Sequence, residues 1–342
     1  MDYVIPVTMR ASVLLSAKTL VVEQRPVPVP RADEVLVHVT GVGVCGSDVH
    51  FFHDGRLGDW IVDAPLVLGH ESGGVIVAVG ANVTPTRVGE RVSIEPQHPD
   101  PASPQSLAGH YNLDPAMAFY AVPGTDGAFA EYVTIQSHFA FAVPNGVSDD
   151  AAALMEPLSV AIAAVQKAKI TVGSRVLITG CGPIGIVTAQ VARAYGASEI
   201  IMTDISEERR AKALTFGVTR ALDPLVESLA ELGVDAFIDA SGAASAVIGG
   251  LPAVRSGGIV VLVGMGSAEI PIPVPLIQAR ELVITGVFRY ANTWPTAIEL
   301  VRSGRVDLDS MVTGHFSLDQ VEAAFASTGD ATTLKSIVDP RL

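Results

Sequence analysis

The short apolar run Arg175–Thr179 passes directly into Gly180-Cys181-Gly182-Pro183-Ile184-Gly185, and a helix-forming segment, Ile184–Tyr195, follows without a break. A strand that feeds a glycine turn and then a helix opens a dinucleotide-binding βαβ unit. The first glycine permits the tight turn, the second lets the backbone approach a pyrophosphate, and the third allows the helix to pack close to the strand. The positive end of the helix dipole then meets the phosphate charge. Pro183 and Ile184 sit where that helix begins. The next strand-like run, Ile200–Thr203, ends at Asp204. This places an acid about 20 residues beyond the motif, where it hydrogen-bonds ribose hydroxyls and repels a 2′-phosphate. NAD is therefore expected in preference to NADP. Arg209 either holds the adenine or ribose, or lies on a solvated helix face. Cys181 is a small residue inside the turn with no chemistry assigned to it. A plain turn, with Asp204 capping the next helix, is the alternative, and strand, spacing and acid together speak against it.

The alternation continues through a helix at Glu207–Phe216 and strands at Ala236–Asp239, Ile259–Val263 and Leu282–Val287. Such a series builds a doubly wound parallel sheet with right-handed crossovers. The chain's 342 residues exceed what one hydrophobic core usually supports, so a second domain is expected. The first hundred residues read as β. Arg10–Leu15 and Glu34–Thr40 alternate apolar with polar, Pro26, Pro28 and Pro30 interrupt them, and Gly73–Gly80 and Arg91–Ile94 continue the pattern. From Pro96 to Pro123 the composition indicates a long irregular lobe. Asp150–Lys169 reads as a helix with an acidic start. After Asn292 come helices at Pro295–Ser303 and Leu318–Ser327, then a strand-like Lys335–Val338 that can return to the first domain.

Charge and cysteine usage exclude several classes. With 22 basic and 36 acidic residues the net charge is −14, which repels phosphate backbones and anionic lipid. Nucleic acid and membranes are therefore not expected partners. No apolar run approaches the length of a membrane span, and no basic segment followed by an apolar block opens the chain. Two cysteines cannot form a disulfide scaffold, so a reducing, cytoplasmic setting is expected.

Cys45-Gly46-Ser47-Asp48 and Gly69-His70-Glu71 are the second informative feature. A thiolate, an imidazole and a carboxylate at turns after strand-like runs can converge on one Zn²⁺ that keeps an open position. Such an ion lowers the pKa of an alcohol ahead of hydride loss. The residues alone also allow Cys45 as a buried small residue and His70 as a hydrogen-bonded core histidine.

Gly69-His70-Glu71, followed at fixed spacing by Gly74, Gly80 and Val83, resembles the zinc-alcohol-dehydrogenase signature of the medium-chain dehydrogenase/reductase family. Gly89-Glu90-Arg91-Val92 resembles that family's Gly-Asp-Arg-Val turn, and the likeness runs from about Met9 to Val338. It implies an α/β protein with a GroES-like, mostly-β catalytic domain at 1–155, completed by 291–342, and a Rossmann NAD-binding domain at 156–290. Glu156-Pro157-Leu158-Ser159-Val160-Ala161 resembles the corresponding segment of sorbitol (L-iditol) and xylitol dehydrogenases. That likeness implies zinc ligation by Cys45, His70 and Glu71, with Glu156 as a fourth ligand or bound through the metal water. An oxygen-rich set leaves a harder, more electrophilic metal.

Phe288-Arg289-Tyr290 with Asn292-Thr293-Trp294 resembles the sorbitol-type segment beside substrate and nicotinamide. Val263, Gly264, Met265, Val287, Phe288 and Arg289 are accordingly counted with the cofactor site. Phe51, Glu156, Arg289 and Tyr290 are counted with the contacts to a polyhydroxylated substrate. An interdomain polar contact is the plainer role for the arginine and tyrosine. Phe51 stands where animal sorbitol dehydrogenases carry a tyrosine, which removes one possible bond to substrate.

The lobe Pro96–Gly124 has none of the four cysteines that often hold a structural zinc, although Gly109-His110-Tyr111-Asn112-Leu113 resembles its remnant. One catalytic zinc and no structural one are therefore expected, with His98 and His110 read as solvated loop histidines. The family also implies a homodimer or homotetramer.

The expected reaction is oxidation of a polyol's secondary hydroxyl, giving a ketose and NADH. Ser47 can bond the reacting oxygen and pass its proton outward, and His50 can continue the relay from the same side of a helical turn. Ser47 as a helix N-cap with His50 in solvent is the alternative. Two other functions compete: a zinc dehydrogenase of simple secondary alcohols or diols such as butanediol, and a catalytically silent nucleotide-binding protein.

Overall fold

A computed structural model describes residues 3–266 and 269–342. The chain divides into two compact units: one comprising 1–156, 294–302 and 308–342, the other 157–293 and 303–307.

In the second unit, six strands form one parallel sheet. Numbered along the chain, Arg175–Thr179, Glu199–Thr203, Arg220–Leu222, Val234–Asp239, Val254–Leu262 and Val283–Gly286 lie side by side in the order 3-2-1-4-5-6. This is the doubly wound dinucleotide-binding order, and its direction reverses between the first and fourth strands. Val176, Leu177 and Ile178 are fully buried, as a strand covered on both faces requires. The glycine turn leaves the first strand and enters the helix Pro183–Ala194.

In the first unit the main sheet has seven strands. Ala140–Ala142, Arg91–Ile94, Glu71–Val79, Glu34–Gly43, Lys335–Val338 and Val312–Phe316 follow one another, and Tyr132–Gln136 also pairs with Glu34–Gly43. Glu34–Gly43 and Glu71–Val79 run antiparallel with Gly43 opposite Glu71, and the C-terminal strand sets Ile337 opposite Gly43. The end of the chain is thus built into the first unit's sheet. At Gly74 a Cβ would lie 2.2 Å from the His38 carbonyl oxygen, so no larger residue fits between these strands.

Several local expectations need correction. The expected helix at Asp150–Lys169 is two helices, Asp149–Ala153 and Met155–Lys167. Pro157 has no N–H to offer the Ala153 carbonyl, and its ring would clash there, so the first helix ends and Pro157 falls in the first turn of the second. The consequence is functional, because Glu156 now opens a helix. Leu318–Ser327 likewise resolves into a 3₁₀ turn, Leu318–Gln320, and a helix, Val321–Ser327. Inside the irregular lobe, Gln97–His98 and Ala118–Phe119 pair as short strands. His98 is therefore no solvated loop residue. Its ring lies 5.6 Å from that of Tyr120, and burial pulls its pKa down. His110 is exposed, as expected.

Candidate metal centre and dinucleotide loop

Cys45 ends the run out of the strand Glu34–Gly43 and is the N-cap of the helix Gly46–Asp54, in extended conformation at φ −104°. The reading of Ser47 as the cap is thereby corrected. Cys45 occupies that position because the Asp48 carboxylate reaches back to accept its amide at 3.1 Å. The other Asp48 oxygen accepts the Gly69 amide at 3.0 Å and stands 3.5 Å from His70 Nδ1. One buried carboxylate therefore ties together the two turns that carry Cys45 and His70. A carboxylate beside Nδ1 would leave Nε2 as the ligand atom, the usual arrangement behind a metal-bound imidazole. Burial disfavours charge on His70, yet the Asp48 and Cys45 charges outweigh it and hold the imidazole pKa well above its ordinary value.

Among the described residues, Cys45, His70 and Glu71 place one ligand atom each within 4.8 Å of one another. One ion with bonds of roughly 2.0–2.3 Å bridges that spacing after small side-chain movements, and sulfur, nitrogen and oxygen together suit Zn²⁺. Glu156 lies outside this group of three, buried in the first turn of its helix. Its charge still reaches Glu71 and Glu95. Ser47 is half-buried on the helix after Cys45. His50 is exposed with Nδ1 3.1 Å from Asp54 Oδ2, which occupies its ring in a surface pair. Phe51, counted above with the substrate contacts, is corrected to a core residue: its ring is buried in the unit's apolar cluster, as an apolar side chain on the inner face of its helix requires.

Three further residues shape the centre without having been singled out in the sequence. Lys335 Nζ donates to both Glu71 oxygens at 2.5 Å and to the Val44 carbonyl at 2.8 Å. Burial raises the Glu71 carboxyl to about 7, with Lys335 pulling it down and Glu156 pushing it up. Gly43 leaves room for that carboxylate, since a Cβ there would sit 2.1 Å from Glu71 Oε2. Glu95 is fully buried. One of its oxygens accepts Gln97 Nε2 and the Tyr111 hydroxyl, both at 2.8 Å. Its other oxygen has no hydrogen-bond partner among the described residues.

Burial also raises the Glu95 carboxyl, from 4.5 to about 7. Below the unfolded-chain pKa both states are protonated and no penalty exists. As pH climbs through this window the folded state must ionise a buried group, so stability falls and the full cost stands above about 7. The shift corresponds to about 3 kcal/mol. Glu95→Gln should therefore gain stability relative to the parent between pH 5 and pH 8, approaching that figure. Chemical denaturation at the two pH values measures it, and a difference independent of pH would refute the assignment.

In the second unit the glycine turn behaves as its spacing requires. Gly180 has φ +90°, which favours glycine, and a Cβ on Gly185 would stand 1.9 Å from the Gly180 carbonyl oxygen. Gly182 is the N-cap of the helix that Pro183 and Ile184 open, and nothing lies within 4 Å of where its Cβ would be. That open face before a helix N-terminus accommodates a pyrophosphate. One Asp204 oxygen accepts the Cys181 amide at 2.9 Å and the other the Ser206 amide at 2.9 Å. Ser206, not Asp204, caps the helix Glu207–Thr215. A cavity of about 410 Å³ opens beside Gly180, Thr203, Asp204 and Ser241. Arg209 is half-buried, and among the described residues its guanidinium makes no hydrogen bond or ion pair.

The loops after the next strands are organised by Asp239, a residue with no sequence signal beyond its place at a strand end. Its carboxylate accepts Thr179 Oγ1 at 2.7 Å, Ser241 Oγ at 2.6 Å and the Gly242 amide at 3.0 Å. Its carbonyl accepts the amides of Val263 and Gly264. Met265 is exposed, and Val287 continues its strand's bonding by donating to Leu262. Phe288 is exposed, with the Arg289 guanidinium 4.8 Å from its ring centroid, while Tyr290 is buried. Arg289 at φ +54° and Asn292 at φ +59° both adopt left-handed backbone. Two such non-glycine residues within one short segment indicate a conformation imposed by its surroundings.

Comparisons with known proteins agree with this geometry. Residues 31–145 match the alcohol dehydrogenase GroES-like domain, and residues 183–303 match the zinc-binding dehydrogenase family. The sorbitol dehydrogenase of Bacillus subtilis (strain 168) is 39% identical over 333 residues, covering 95% of this chain and 94% of that one. A structure described as a short-chain alcohol dehydrogenase from E. coli CFT073, complexed with NADH, superposes with a TM-score of 0.91 at 29% identity, covering 98% of this chain and 100% of that one. A zinc-binding dehydrogenase structure from Sinorhizobium meliloti 1021, bound to NADP, also reaches 0.91 at 30% identity, with 97% and 99% covered. The chain belongs to the zinc-containing medium-chain dehydrogenase/reductase family, on its sorbitol-dehydrogenase-like branch.

Proposed function

We propose that this protein oxidises a secondary hydroxyl of a polyol to a ketose with NAD as hydride acceptor, using one catalytic zinc and no structural one. The observation that carries this reading is the convergence of Cys45, His70 and Glu71 within 4.8 Å, in a chain 39% identical to a sorbitol dehydrogenase. The first unit would be the catalytic domain and the second the coenzyme domain.

Zinc, when bound, supplies the Lewis acidity that makes the reacting hydroxyl acidic near neutral pH. Cys45 Sγ, His70 Nε2 and a Glu71 oxygen would hold it, with Asp48 orienting the imidazole. Glu156, outside the ligand group but buried nearby, would take up the hydroxyl proton at its carboxylate. Arg289 and Tyr290, in the second unit, carry donor chemistry of the kind a polyhydroxylated substrate calls for. The exposed His50, paired with Asp54, contributes at most a final proton exit, and Ser47 precedes it on the same helix.

Asp204 supports NAD over NADP, since its carboxylate stands at the glycine turn where a 2′-phosphate would meet its charge. The cysteine-free lobe is folded by hydrogen bonds instead: both Asp114 oxygens accept backbone amides, from Asp100 and Ala116. That supports the absence of a structural zinc. A homodimer or homotetramer is supported by the strand Val283–Gly286, an open edge of the six-stranded sheet that carries the exposed Val283. No helix among the described residues is long and apolar enough to cross a membrane, and both cysteines are free, which supports a cytoplasmic setting.

The test is a substrate panel on protein of measured zinc content. Sorbitol, xylitol, galactitol, 2,3-butanediol and 2-propanol are compared with NAD and with NADP. We expect one zinc per chain and at least about tenfold higher kcat/KM for a polyol than for 2-propanol. Butanediol or 2-propanol as the best substrate would overturn the polyol assignment.

A further inference from the structure

We infer that Lys335 is a positioning residue that shares the Glu71 carboxylate with the metal, loosening the metal's grip so as to keep it a strong Lewis acid. The inference deepens the metal-site reading above and rests on it.

An ammonium has three donors and no acceptor. All three are spent here, on Glu71 Oε1, Glu71 Oε2 and the Val44 carbonyl. The group is almost completely buried, so water replaces none of these bonds. Val44 precedes one metal donor and Glu71 is another, so a single ammonium ties the segments that carry them. Gly43, opposite Glu71 in the sheet, leaves the carboxylate room to lie between lysine and metal.

A cation bound by Cys45, His70 and Glu71 would share this carboxylate with a fixed positive charge. Two consequences follow from electrostatics. The lysine repels the metal ion across a short, poorly screened distance, which weakens binding. It also draws electron density from Glu71, so that oxygen donates less and the metal polarises the substrate hydroxyl more. Before the metal arrives, Lys335 compensates a carboxylate that would otherwise be buried unpaired, a costly state.

The experiment is a chelator challenge of the zinc-loaded parent, Lys335→Met and Lys335→Arg. Methionine is chosen because its unbranched chain fills the same space without charge. We expect Lys335→Met to hold zinc roughly tenfold or more tightly than the parent, and Lys335→Arg to remain near the parent. Cobalt-substituted Lys335→Met should show displaced d–d bands, reporting a stronger Glu71 donor. Melting curves add a readout that a merely structural role would not move. The metal-free protein should lose more Tm than the loaded one, so the gain on adding zinc grows. Equal losses in both forms, or unchanged or weaker zinc retention in Lys335→Met, would overturn the inference while leaving the metal site standing. A parent that binds no zinc would overturn the metal-site reading and this inference with it.

Discussion

Replacing Cys45 with serine is expected to remove both the zinc and the turnover while leaving the fold intact. Cys45 supplies the single sulfur of the donor group, and a serine hydroxyl is a far weaker zinc ligand at neutral pH. Cys45 is also a helix N-cap in extended conformation. Serine is among the best residues at that position, so the helix Gly46–Asp54 should keep its start. The Asp48 carboxylate can go on accepting the amide of residue 45, which preserves the turn. Zinc content should fall from about one per chain toward zero. The kcat/KM for a polyol should drop by at least about 10³, since the Lewis-acid contribution is worth several kcal/mol. Metal analysis, kinetics and a melting curve on the same preparation separate the effects. Full zinc content with normal turnover would eliminate Cys45 as a ligand, and a collapsed melting transition would mean that its role is structural.

Exchanging Asp204 for serine should move the coenzyme preference from NAD toward NADP. Asp204 occupies the end of the second strand of the parallel sheet, and its two oxygens accept the Cys181 and Ser206 amides. In that position it would also meet the ribose hydroxyls of a bound dinucleotide. Charge-assisted hydrogen bonds of this kind are worth about 1.5–3 kcal/mol, or roughly tenfold to a hundredfold in kcat/KM for NAD. Serine removes the repulsion of a 2′-phosphate, and the half-buried Arg209 guanidinium then has an anion to meet, so NADP should improve. Zinc content should not change, because Asp204 and the three metal donors belong to different units. The related structures bound to NADH and to NADP superpose equally well on this chain, so the overall fold does not decide the preference. An NAD/NADP ratio that moves less than about threefold would leave Asp204 as a loop-bracing residue only.

Much of this protein is legible along the chain because its chemistry is local. The strand, glycine turn and helix at 175–194 are neighbours in sequence, and each glycine answers a steric demand set within a few residues. The alternation of strands with helices then suffices to foresee the parallel sheet. Cys45, His70 and Glu71 could be nominated because sulfur, imidazole and carboxylate at strand ends are chemically conspicuous. Even the break between the two helices at Leu154 was readable in principle, from Pro157.

The residues that condition the centre are a different matter. Lys335 meets Glu71 from 264 positions away, because the last strand closes onto the sheet that the first strands built. No periodicity or motif marks that lysine, since an isolated lysine before an apolar run reads as surface. Asp48 lies three residues after Cys45, yet only the approach of the Gly69 turn makes its carboxylate a brace between two ligands. Whether Gly43 must be glycine depends on a carboxylate across the strand pair, and whether Glu95 titrates near neutrality depends on complete burial. Donor identity and local backbone geometry were thus properties of the sequence. Burial, pairing of charges and ligand spacing were decided by tertiary structure, because they arise between segments whose separation along the chain carries no record of their contact.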